Sequence, residues 1–453
     1  MDAKQTVLIL SLVLLLILGT FAFTGKPTES RNGRMVLDLW HPWGGPIGEE
    51  FRNFIHRYNL SNDKVQIDPL FTPNDLSANQ KFFLSVAGGS PPEITFVDGP
   101  QVAEWAARGA LESIDDLMAE YGVSNQDFWE PCARQNQYNG KTYALTYCAD
   151  PNFALAWNKE LFKKAGLDPE RGPRTIAELD EMAEKLTKMD SRGDLETIGL
   201  IPWSVYGSEN SLFTWGWCFG GEFYNPETRE ITCDSPQILA ALKWMLSYAE
   251  KFGIVKITAF IQSQQGFGTG PLDPFLTGKV AFLAVHVSVV RLYAKYKPDL
   301  DYGLAPLPGL NEGEEGNGSW VGGWCIGIPK GSKHRREAFE FMKWLCTSDQ
   351  GTRSSYETSG SFPGYTKAPV LEDIAREPKK AIFLDILKKT RHQRPVMPAQ
   401  AYYMGAIRRA VDYSLNNLKT PEEALKEARE LTEKELHRVE QQFGEASAGK
   451  GSS

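Results

Sequence analysis

The sequence predicts an α/β protein of two lobes, and two observations carry that prediction. The chain has 453 residues, which is more than one hydrophobic core usually fills. Short apolar runs with strand character also alternate with helix-patterned segments, first from about residue 35 and again from about residue 151. Because such alternation is typical of largely parallel sheets covered by helices, each run is expected to form one lobe.

The first run contains three predicted strands, "RMVLDLWH", "KVQIDPLF" and "EITFVDG", separated by the helix-patterned segments "EEFRNFIHRYN" and "ANQKFFLSVAGG". Ligands of such sheets bind at the carboxyl ends of the strands. The first strand ends in "WHPWGG", and the third ends at Asp98 and Gly99. These two strand ends are therefore the first candidates for a binding site.

The second run begins with "NFALAWNKELFKKAGL", a predicted strand that leads into a helix. Thr175 and Glu178 have capping-box spacing before the helix "IAELDEMAEKLTKM". Further strands are predicted at "KVAFLAVHV" and "DYGLAPLP", and helices dominate from "REAFEFMKWLCTS" to "ELHRVEQQF". The final segment, "GEASAGKGSS", lacks the apolar residues needed to fold.

Composition narrows the class of protein. The net charge is -8 and no run of Lys and Arg occurs, so a nucleic-acid partner is not expected. The hydrophobic share of 42% is typical of a soluble globular protein. Residues 7–23 differ, because they are almost entirely apolar, follow Lys4 and precede a polar segment. This layout is that of an export signal or a single membrane anchor, and the lack of a clear cleavage site favours the anchor.

The six cysteines are an even number, as is common outside the cytosol. Cys132 and Cys148 bracket a predicted hairpin that turns at Asn139-Gly140, and Cys218 and Cys233 bracket a second hairpin-like segment. Each pair could form a disulfide, and buried free thiols are the alternative.

Motifs for catalysis and for metal or cofactor binding are missing from the sequence. It contains no zinc-protease motif, no phosphate-binding P-loop, no nucleophile elbow and no zinc-type cysteine spacing. We therefore predict no catalytic residue, no metal and no cofactor. His41 and His286 are the two histidines near strand ends; for His286, a satisfied buried histidine and a ligand contact both stay open.

Tryptophan gives the strongest functional signal. Twelve occur, and several lie beside glycine or proline in predicted loops, where a cleft wall is favoured over a core. A flat aromatic face suits the C–H face of a sugar ring, while nearby carboxylates and amides bond its hydroxyls. The alternative is packing within a lobe. The residues for which both alternatives stay open are Trp43, Trp215, Trp217 and Trp324.

Five stretches together span nearly the whole chain after the apolar segment and match a known family. The most specific is "NGKTYALTYCADPNFALAWNKELFKKAGLDPERGPRTIAELDEMAEKLT". The others are "VAGGSPPEITFVDGPQVAEWAARGALESIDDLM", "FLTGKVAFLAV", "IPKGSKHRREAFEFMKWLCTSDQG" and "KTPEEALKEA". In these stretches the chain resembles the extracytoplasmic solute-binding proteins of ABC importers, in the branch that binds maltose-like sugars, other oligosaccharides and glycerol-3-phosphate.

The resemblance implies two α/β lobes of the type II periplasmic-binding-protein fold, joined by a three-strand hinge. Crossings are then expected near residues 148–152, 321–324 and 376–380. The implied organisation is a signal or anchor segment at 1–34, a first lobe at 35–149 plus 325–375, a second lobe at 150–324 plus 376–442, and a disordered tail at 443–453.

The resemblance also implies the function: capture of a sugar outside the cytoplasmic membrane and its delivery to an ABC permease, without catalysis, by a monomer held at the membrane by its N-terminal segment. A secreted carbohydrate-active enzyme and a ligand sensor for a membrane kinase are the alternatives. The sequence departs from the family at "AFLAVHVSVV", where many members carry Gly-x-Trp and this chain carries His286 and Ser288. The expected groove residues are His41, Trp43, Asp98, Gly99, Asp150, Asn152, Trp215, Trp217, His286, Gly323, Trp324, Tyr402 and Tyr403.

Overall fold

The computed structural model describes residues 33–74, 76–204, 206–264 and 270–448. The chain divides into two compact units. Unit 1 comprises Met1–Thr95 and Pro329–Ala338, and unit 2 comprises Phe96–Ile328 and Phe339–Ser453. This division differs from the lobe boundaries expected from the sequence, which stay a prediction.

Unit 1 is built on parallel strand pairs, as the sequence predicts. β1 (Met35–His41) pairs in parallel with β2 (Val65–Phe71), in the register Met35 with Val65, and with the start of β3 (Ile94–Asp98), where Leu39 is opposite Ile94. Pro46 lies in the first turn of α1 (Gly45–Ser61), and Phe51 on this helix is fully buried. Its elements are β1 (Met35–His41), α1 (Gly45–Ser61), β2 (Val65–Phe71), α2 (Leu76–Ala87) and the first residues of β3 (Ile94–Asp98).

Unit 2 carries short strands in several small sheets. β8 (Ala154–Asn158) is the centre of one sheet and pairs antiparallel with both β13 (Phe282–Val285) and β14 (Tyr302–Pro306). β16 (Trp324–Gly327) pairs antiparallel with β6 (Ala144–Thr146). The strands are β4 (Gln137–Tyr138), β5 (Lys141–Thr142), β6 (Ala144–Thr146), β7 (Cys148–Asn152), β8 (Ala154–Asn158), β9 (Lys188–Met189), β10 (Leu195–Thr197), β11 (Tyr224–Asn225), β12 (Glu230–Ile231), β13 (Phe282–Val285), β14 (Tyr302–Pro306), β15 (Trp320–Gly322), β16 (Trp324–Gly327) and β17 (Phe362–Pro363).

The helices of unit 2 begin at side-chain caps in several places. Thr175 accepts a hydrogen bond from the Glu178 amide at 3.2 Å, and Asn158 caps the helix that follows β8. The helices are α3 (Val102–Ala107), α4 (Asp115–Tyr121), α5 (Glu130–Gln135), α6 (Lys159–Lys164), α7 (Ile176–Leu186), α8 (Ser208–Cys218), α9 (Pro236–Phe252), α10 (Ile254–Ser263), α11 (Val289–Tyr296), α12 (Arg335–Thr347, which begins in unit 1), α13 (Asp349–Ser359), α14 (Val370–Arg376), α15 (Pro378–Lys389), α16 (Gln400–Leu415) and α17 (Pro421–Ala448). Two short 3-10 helices, Gly99–Gln101 and Asn125–Asp127, complete the described elements.

A second three-stranded sheet has β7 at its centre. β7 pairs antiparallel with β15 on one side and with β17 on the other. Two of the expected hinge crossings fall on β7 and at the β15–β16 turn. The third strand of this sheet is β17 (Phe362–Pro363), whereas residues 376–380 lie where α14 ends and α15 begins. The third expected crossing stays a prediction.

The six cysteines are all buried free thiols, so the two suggested disulfides are not formed. The thiols have separate surroundings: Cys148 Sγ accepts a hydrogen bond from the Trp324 amide at 3.3 Å, while the Cys233 thiol is 3.7 Å from the Leu425 carbonyl. Burial raises the pKa of Cys132, Cys148 and Cys218, which keeps these thiols protonated and unreactive. The structure therefore has buried free thiols, which the sequence analysis gave as the alternative to the two disulfides.

The apolar segment at residues 7–23 lies outside the described residues. Among the residues that are described, no helix is long and apolar enough to cross a membrane.

Candidate binding site

The "WHPWGG" corner of unit 1 is a packed aromatic group. His41 is 1% exposed, and neither ring nitrogen has a hydrogen-bond partner among the described residues. Burial, with a smaller contribution from Arg52, lowers the pKa of His41 to about 4, so the ring is neutral at pH 7. Trp43 is half-buried, with its ring centroid 5.9 Å from that of His41 and 4.8 Å from that of Phe51. His41 is therefore a packing residue, and Trp43 keeps part of its surface accessible.

An ion pair links the end of β3 to the segment before α16 in unit 2. Arg394 Nη2 donates to both carboxylate oxygens of Asp98, at 2.8 and 3.0 Å, and both side chains are about one-seventh exposed (14% and 15%). The Arg394 guanidinium also lies 5.3 Å from the ring centroid of Trp320 on β15. The Trp320 ring is fixed in turn by a 3.0 Å hydrogen bond from its Nε1 to Thr214 Oγ1. Asp98, Arg394 and Trp320 thus form one contiguous group.

Asp150 adds a second carboxylate to this group. It lies on β7 opposite Gly322 of β15 and is hydrogen-bonded to Ser361. Burial raises the pKa of Asp150 and the nearby Asp98 carboxylate acts in the same direction, whereas Ser361 and Arg394 oppose the rise. One step along the same pair of strands, Asn152 is opposite Trp320 and is 8% exposed.

Two glycines allow the backbone to close tightly beneath these side chains. The Gly99 amide donates to the Gly323 carbonyl at 3.1 Å, and a Cβ at Gly99 would lie 2.1 Å from the Gln135 side chain. Gly323 has φ +142°, and a Cβ there would lie 2.0 Å from the Cys148 carbonyl oxygen. Neither position accepts a larger residue without movement of its neighbours.

A third polar group surrounds His286. Its Nε2 is 2.5 Å from the Tyr206 hydroxyl and its Nδ1 is 2.6 Å from Ser288 Oγ. Burial lowers the pKa of His286 to about 4, so a neutral imidazole is expected at pH 7. Tyr206 is 60% exposed, and Asp150 is close enough to affect its ionisation. The His286 group is therefore a neighbour of the Asp150 carboxylate.

The structure brings part of the expected groove together and buries another part. Asp98, Gly99, Asp150, Asn152, Gly323 and half-buried Trp324 lie on or beside β7, β15 and their connections, with His286 linked through Tyr206.

The aromatic residues of α8 and α16 are placed differently from the expectation. Trp215 is fully buried, with its Nε1 donating to the Pro202 carbonyl at 2.8 Å, and Trp217 is 2% exposed. Tyr403 is 1% exposed and donates to the Phe223 carbonyl, whereas Tyr402 is 37% exposed. Trp215 and Tyr403 lie in the core of unit 2, because α8 and α16 turn these side chains inward, so neither presents an accessible wall in this structure.

Sequence reasoning missed four residues of this site: Arg394, Trp320, Tyr206 and Ser361. Trp320 was visible in the Gly-rich "GSWVGGW" segment, and Arg394 was a basic residue in the Pro- and Gln-containing "RHQRPVMPAQ". Neither pattern says which carboxylate the side chain meets. Among residues 33–74, 76–204, 206–264 and 270–448, no group of three or more His, Cys, Asp or Glu side chains could hold a metal ion.

Solved binding proteins have the same fold as this chain. CpMnBP1, solved with mannotriose bound, is 30% identical with a TM-score of 0.75, and the match covers 88% of this chain and 99% of that one. The GacH receptor of Streptomyces glaucescens GLA.O, solved unliganded and with acarbose, is 21% identical with a TM-score of 0.71. This match covers 89% of this chain and 98% of that one, and at this identity it is evidence for the fold only. The chain thus has the fold of the two-domain periplasmic sugar-binding proteins, which confirms the predicted fold class.

The family model for bacterial extracellular solute-binding proteins matches residues 55–382, and the chain belongs to that family. The resemblance seen in the sequence is thereby confirmed, and the family and its solved relatives are binding proteins. The sn-glycerol-3-phosphate-binding periplasmic protein UgpB of Escherichia coli (strain K12) is 30% identical over 157 residues. That match covers 33% of this chain and 35% of the relative, so the chain spans about a third of the length of the curated relatives it matches.

Proposed function

We propose that this protein captures an uncharged oligosaccharide outside the cytoplasmic membrane and delivers it to an ABC permease without chemical change. The observation that carries the proposal is the group formed by Asp98, Asp150 and Arg394 beside Trp320. Carboxylates accept hydrogen bonds from sugar hydroxyls and the guanidinium donates to them. A sugar hydroxyl buried without such a partner would cost about 1 to 3 kcal/mol.

The charge of this group favours a neutral ligand. Arg394 is already paired with Asp98, so this group offers an anionic ligand no unpaired cation beside its two carboxyl groups. A phosphate ester brought to this position would meet like charge, which disfavours binding. CpMnBP1, solved with mannobiose and with mannotriose, supports an uncharged oligosaccharide more strongly than UgpB supports glycerol-3-phosphate, because it matches 88% of this chain.

The rest of the proposal concerns location and assembly. A member of this family is expected to bind its ligand on the outer face of the membrane, and the apolar segment at residues 7–23 would hold it there. The protein acts as a monomer, with ligand binding shifting it toward the closed form that the permease recognises.

Calorimetric titration with mannobiose, mannotriose, maltotriose and glycerol-3-phosphate tests the proposal. A neutral oligosaccharide should bind, and glycerol-3-phosphate should bind at least tenfold more weakly. Asp150→Asn removes a charged acceptor and should weaken oligosaccharide binding by roughly 10- to 150-fold, corresponding to about 1.5 to 3 kcal/mol. The control is Asp299→Asn, which removes the same charge from an exposed position.

Three results would count against the proposal. Displacement of the bound oligosaccharide by glycerol-3-phosphate would contradict the charge argument. Equal affinities of Asp150→Asn and the parent would remove Asp150 from the site. New reducing ends after incubation with the oligosaccharides would indicate an enzyme.

A further inference from the structure

A cavity of about 790 Å³ lies in unit 2, lined by residues of the stretches 134–140, 217–237 and 391–396. The β4–β5 hairpin forms one side of it, so we name it the hairpin cavity. Pockets for small ligands typically measure 300 to 1,000 Å³, a range that includes a mono- or disaccharide. Of the proposed oligosaccharide site, Arg394 also lines this cavity, whereas Asp98 and Asp150 do not.

The walls of the hairpin cavity carry an excess of positive charge in a chain of net charge -8. Three arginines, Arg134, Arg391 and Arg394, and one carboxylate, Glu222, line it. His392 adds no charge at pH 7, because burial, together with the nearby Arg134, lowers its pKa to about 4.

The three arginines differ in how far their charge is already compensated. Arg394 is paired with Asp98, but its buried Nε has no hydrogen-bond partner among the described residues. Arg134 is 3.2 Å from Glu130 in an exposed pair and donates to the Arg391 carbonyl at 2.9 Å. Arg391 itself donates only to the Thr390 carbonyl, and no carboxylate of the described residues pairs with it. Positive charge therefore remains available for an anion.

The remaining lining suits a sugar ring. Tyr138 and Tyr224 are half-buried in the walls, and the His392 ring stacks on Trp217 with centroids 5.0 Å apart and planes at 18°. Amide side chains of Gln137 and Gln237 add donors and acceptors. Aromatic rings with planar polar groups are the combination that binds the two faces and the hydroxyls of a sugar.

We propose that the hairpin cavity is a second binding site, for a small sugar that carries an anionic group. Arg391 binds the anion, and the aromatic and amide walls bind the ring. This proposal goes beyond the capture of a neutral oligosaccharide and does not depend on it, because the two sites have opposite charge preferences.

The test is calorimetric titration of the protein with D-glucuronate, D-glucose 6-phosphate, D-glucose and acetate. Glucuronate or glucose 6-phosphate should bind at least tenfold more tightly than glucose, and acetate should bind more weakly than either. Arg391→Gln should weaken binding of the anionic sugar at least tenfold. Arg192→Gln is the matched control, because Arg192 is 78% exposed in a turn outside the cavity and its loss changes the net charge equally.

A second variant tests the location without removing charge. Gln237 is exposed on α9 at the cavity wall, so Gln237→Trp should fill the cavity and abolish binding of the anionic sugar. Binding of the neutral oligosaccharide should be unchanged in both Arg391→Gln and Gln237→Trp. Failure of the parent to bind neutral oligosaccharides would overturn the proposed function and leave this proposal standing.

Several outcomes would overturn the second site. These are no binding of either anionic sugar, equal affinity for glucose, equal affinity for acetate, or unchanged affinity in Arg391→Gln and Gln237→Trp. Loss of anionic-sugar binding in Asp150→Asn together with unchanged binding in Arg391→Gln would place the anion at the other site.

Discussion

Two of the segments that combine tryptophan with glycine, "WHPWGG" and "FTWGW", differ in how far their tryptophans are buried. In unit 1, "WHPWGG" follows a strand, and Trp43 remains half-buried. In unit 2, "FTWGW" lies inside α8, and Trp215 is fully buried. Glycine beside tryptophan therefore does not by itself mark a cleft wall. A tryptophan is partly accessible where its segment follows the end of a strand, and it is buried where its segment lies inside a packed helix.

The glycines of the two segments explain the difference. Gly45 has φ +54° and begins α1, and a Cβ at this position would meet no atom within 4 Å. Gly216 lies in the helix, and a Cβ there would lie 2.6 Å from the Phe223 ring and 2.7 Å from Ile238. The first glycine serves a backbone turn, and the second allows close packing against α8.

The largest expected effect is that of Trp215→Ala. Since Trp215 is fully buried and its ring centroid is 4.8 Å from that of Trp244, its truncation should lower the free energy of unfolding by about 3 to 5 kcal/mol. Urea unfolding of parent and variant measures the loss. The folded fraction of the variant should still bind sugar with the affinity of the parent. A variant that melts like the parent would restore Trp215 as a candidate cleft wall.

The next largest expected effect is a loss of stability at acid pH caused by His41 in the "WHPWGG" corner. The pKa of His41 is about 4 in the folded protein, against 6.5 for a free imidazole, so the unfolded chain binds a proton that the folded protein excludes. Above pH 6.5 the neutral His41 ring does not lower the free energy of unfolding. As the pH falls from 6.5 toward 4, the free energy of unfolding decreases by about 3 kcal/mol in total, of which about 2 kcal/mol is lost by pH 5.

His41→Leu should remove this part of the pH dependence. Urea unfolding at pH 7 and at pH 5 measures it in the parent and the variant. His56→Leu is the matched control, because it removes a histidine that is exposed on α1. If His41→Leu loses as much stability between pH 7 and pH 5 as the parent does, protonation of His41 on unfolding is not the cause of the pH dependence.

Replacing Gly216 or Gly45 with alanine should lower stability for different reasons. Gly216→Ala should cost about 1 to 3 kcal/mol, because the new methyl group crowds Phe223 and Ile238. Gly45→Ala should cost about 1 to 2 kcal/mol through the backbone alone, since its φ is positive and its surroundings are open. Melting curves give both values. Enlarging the pocket with Ile238→Val should recover part of the loss in Gly216→Ala and none in Gly45→Ala.

Local sequence patterns predicted the fold well. The alternation of strands and helices, the parallel pairing of β1 with β2, and the Thr175 cap all depend on residues close in sequence or on simple periodicity. Trp215 was misplaced because "FTWGW" was interpreted as a loop from its glycine. Its helical burial depends on contacts with Trp244 and other residues distant in sequence.

The binding site could be predicted only in part for the same reason. Asp98 and Gly99 end a strand, and strand ends are recognisable in a sequence. Arg394 was not predictable, since its role depends on Asp98, which is 296 residues away in the chain. No local pattern states which of the many acidic residues a given arginine will meet.

Trp43→Ala should have a small effect on stability, similar to that of Gly45→Ala and well below that of Trp215→Ala. Trp43 is half-buried against Phe51, so truncation should cost about 1 to 2 kcal/mol, clearly less than at Trp215. If Trp43 is also a sugar-stacking wall, the variant should bind the oligosaccharide 10- to 100-fold more weakly, corresponding to about 1.4 to 2.8 kcal/mol. Calorimetry and a melting curve on the same sample separate the two effects. A small loss of stability with unchanged sugar affinity would make the corner a packing motif only, and the two tryptophan segments would then differ in burial but not in function.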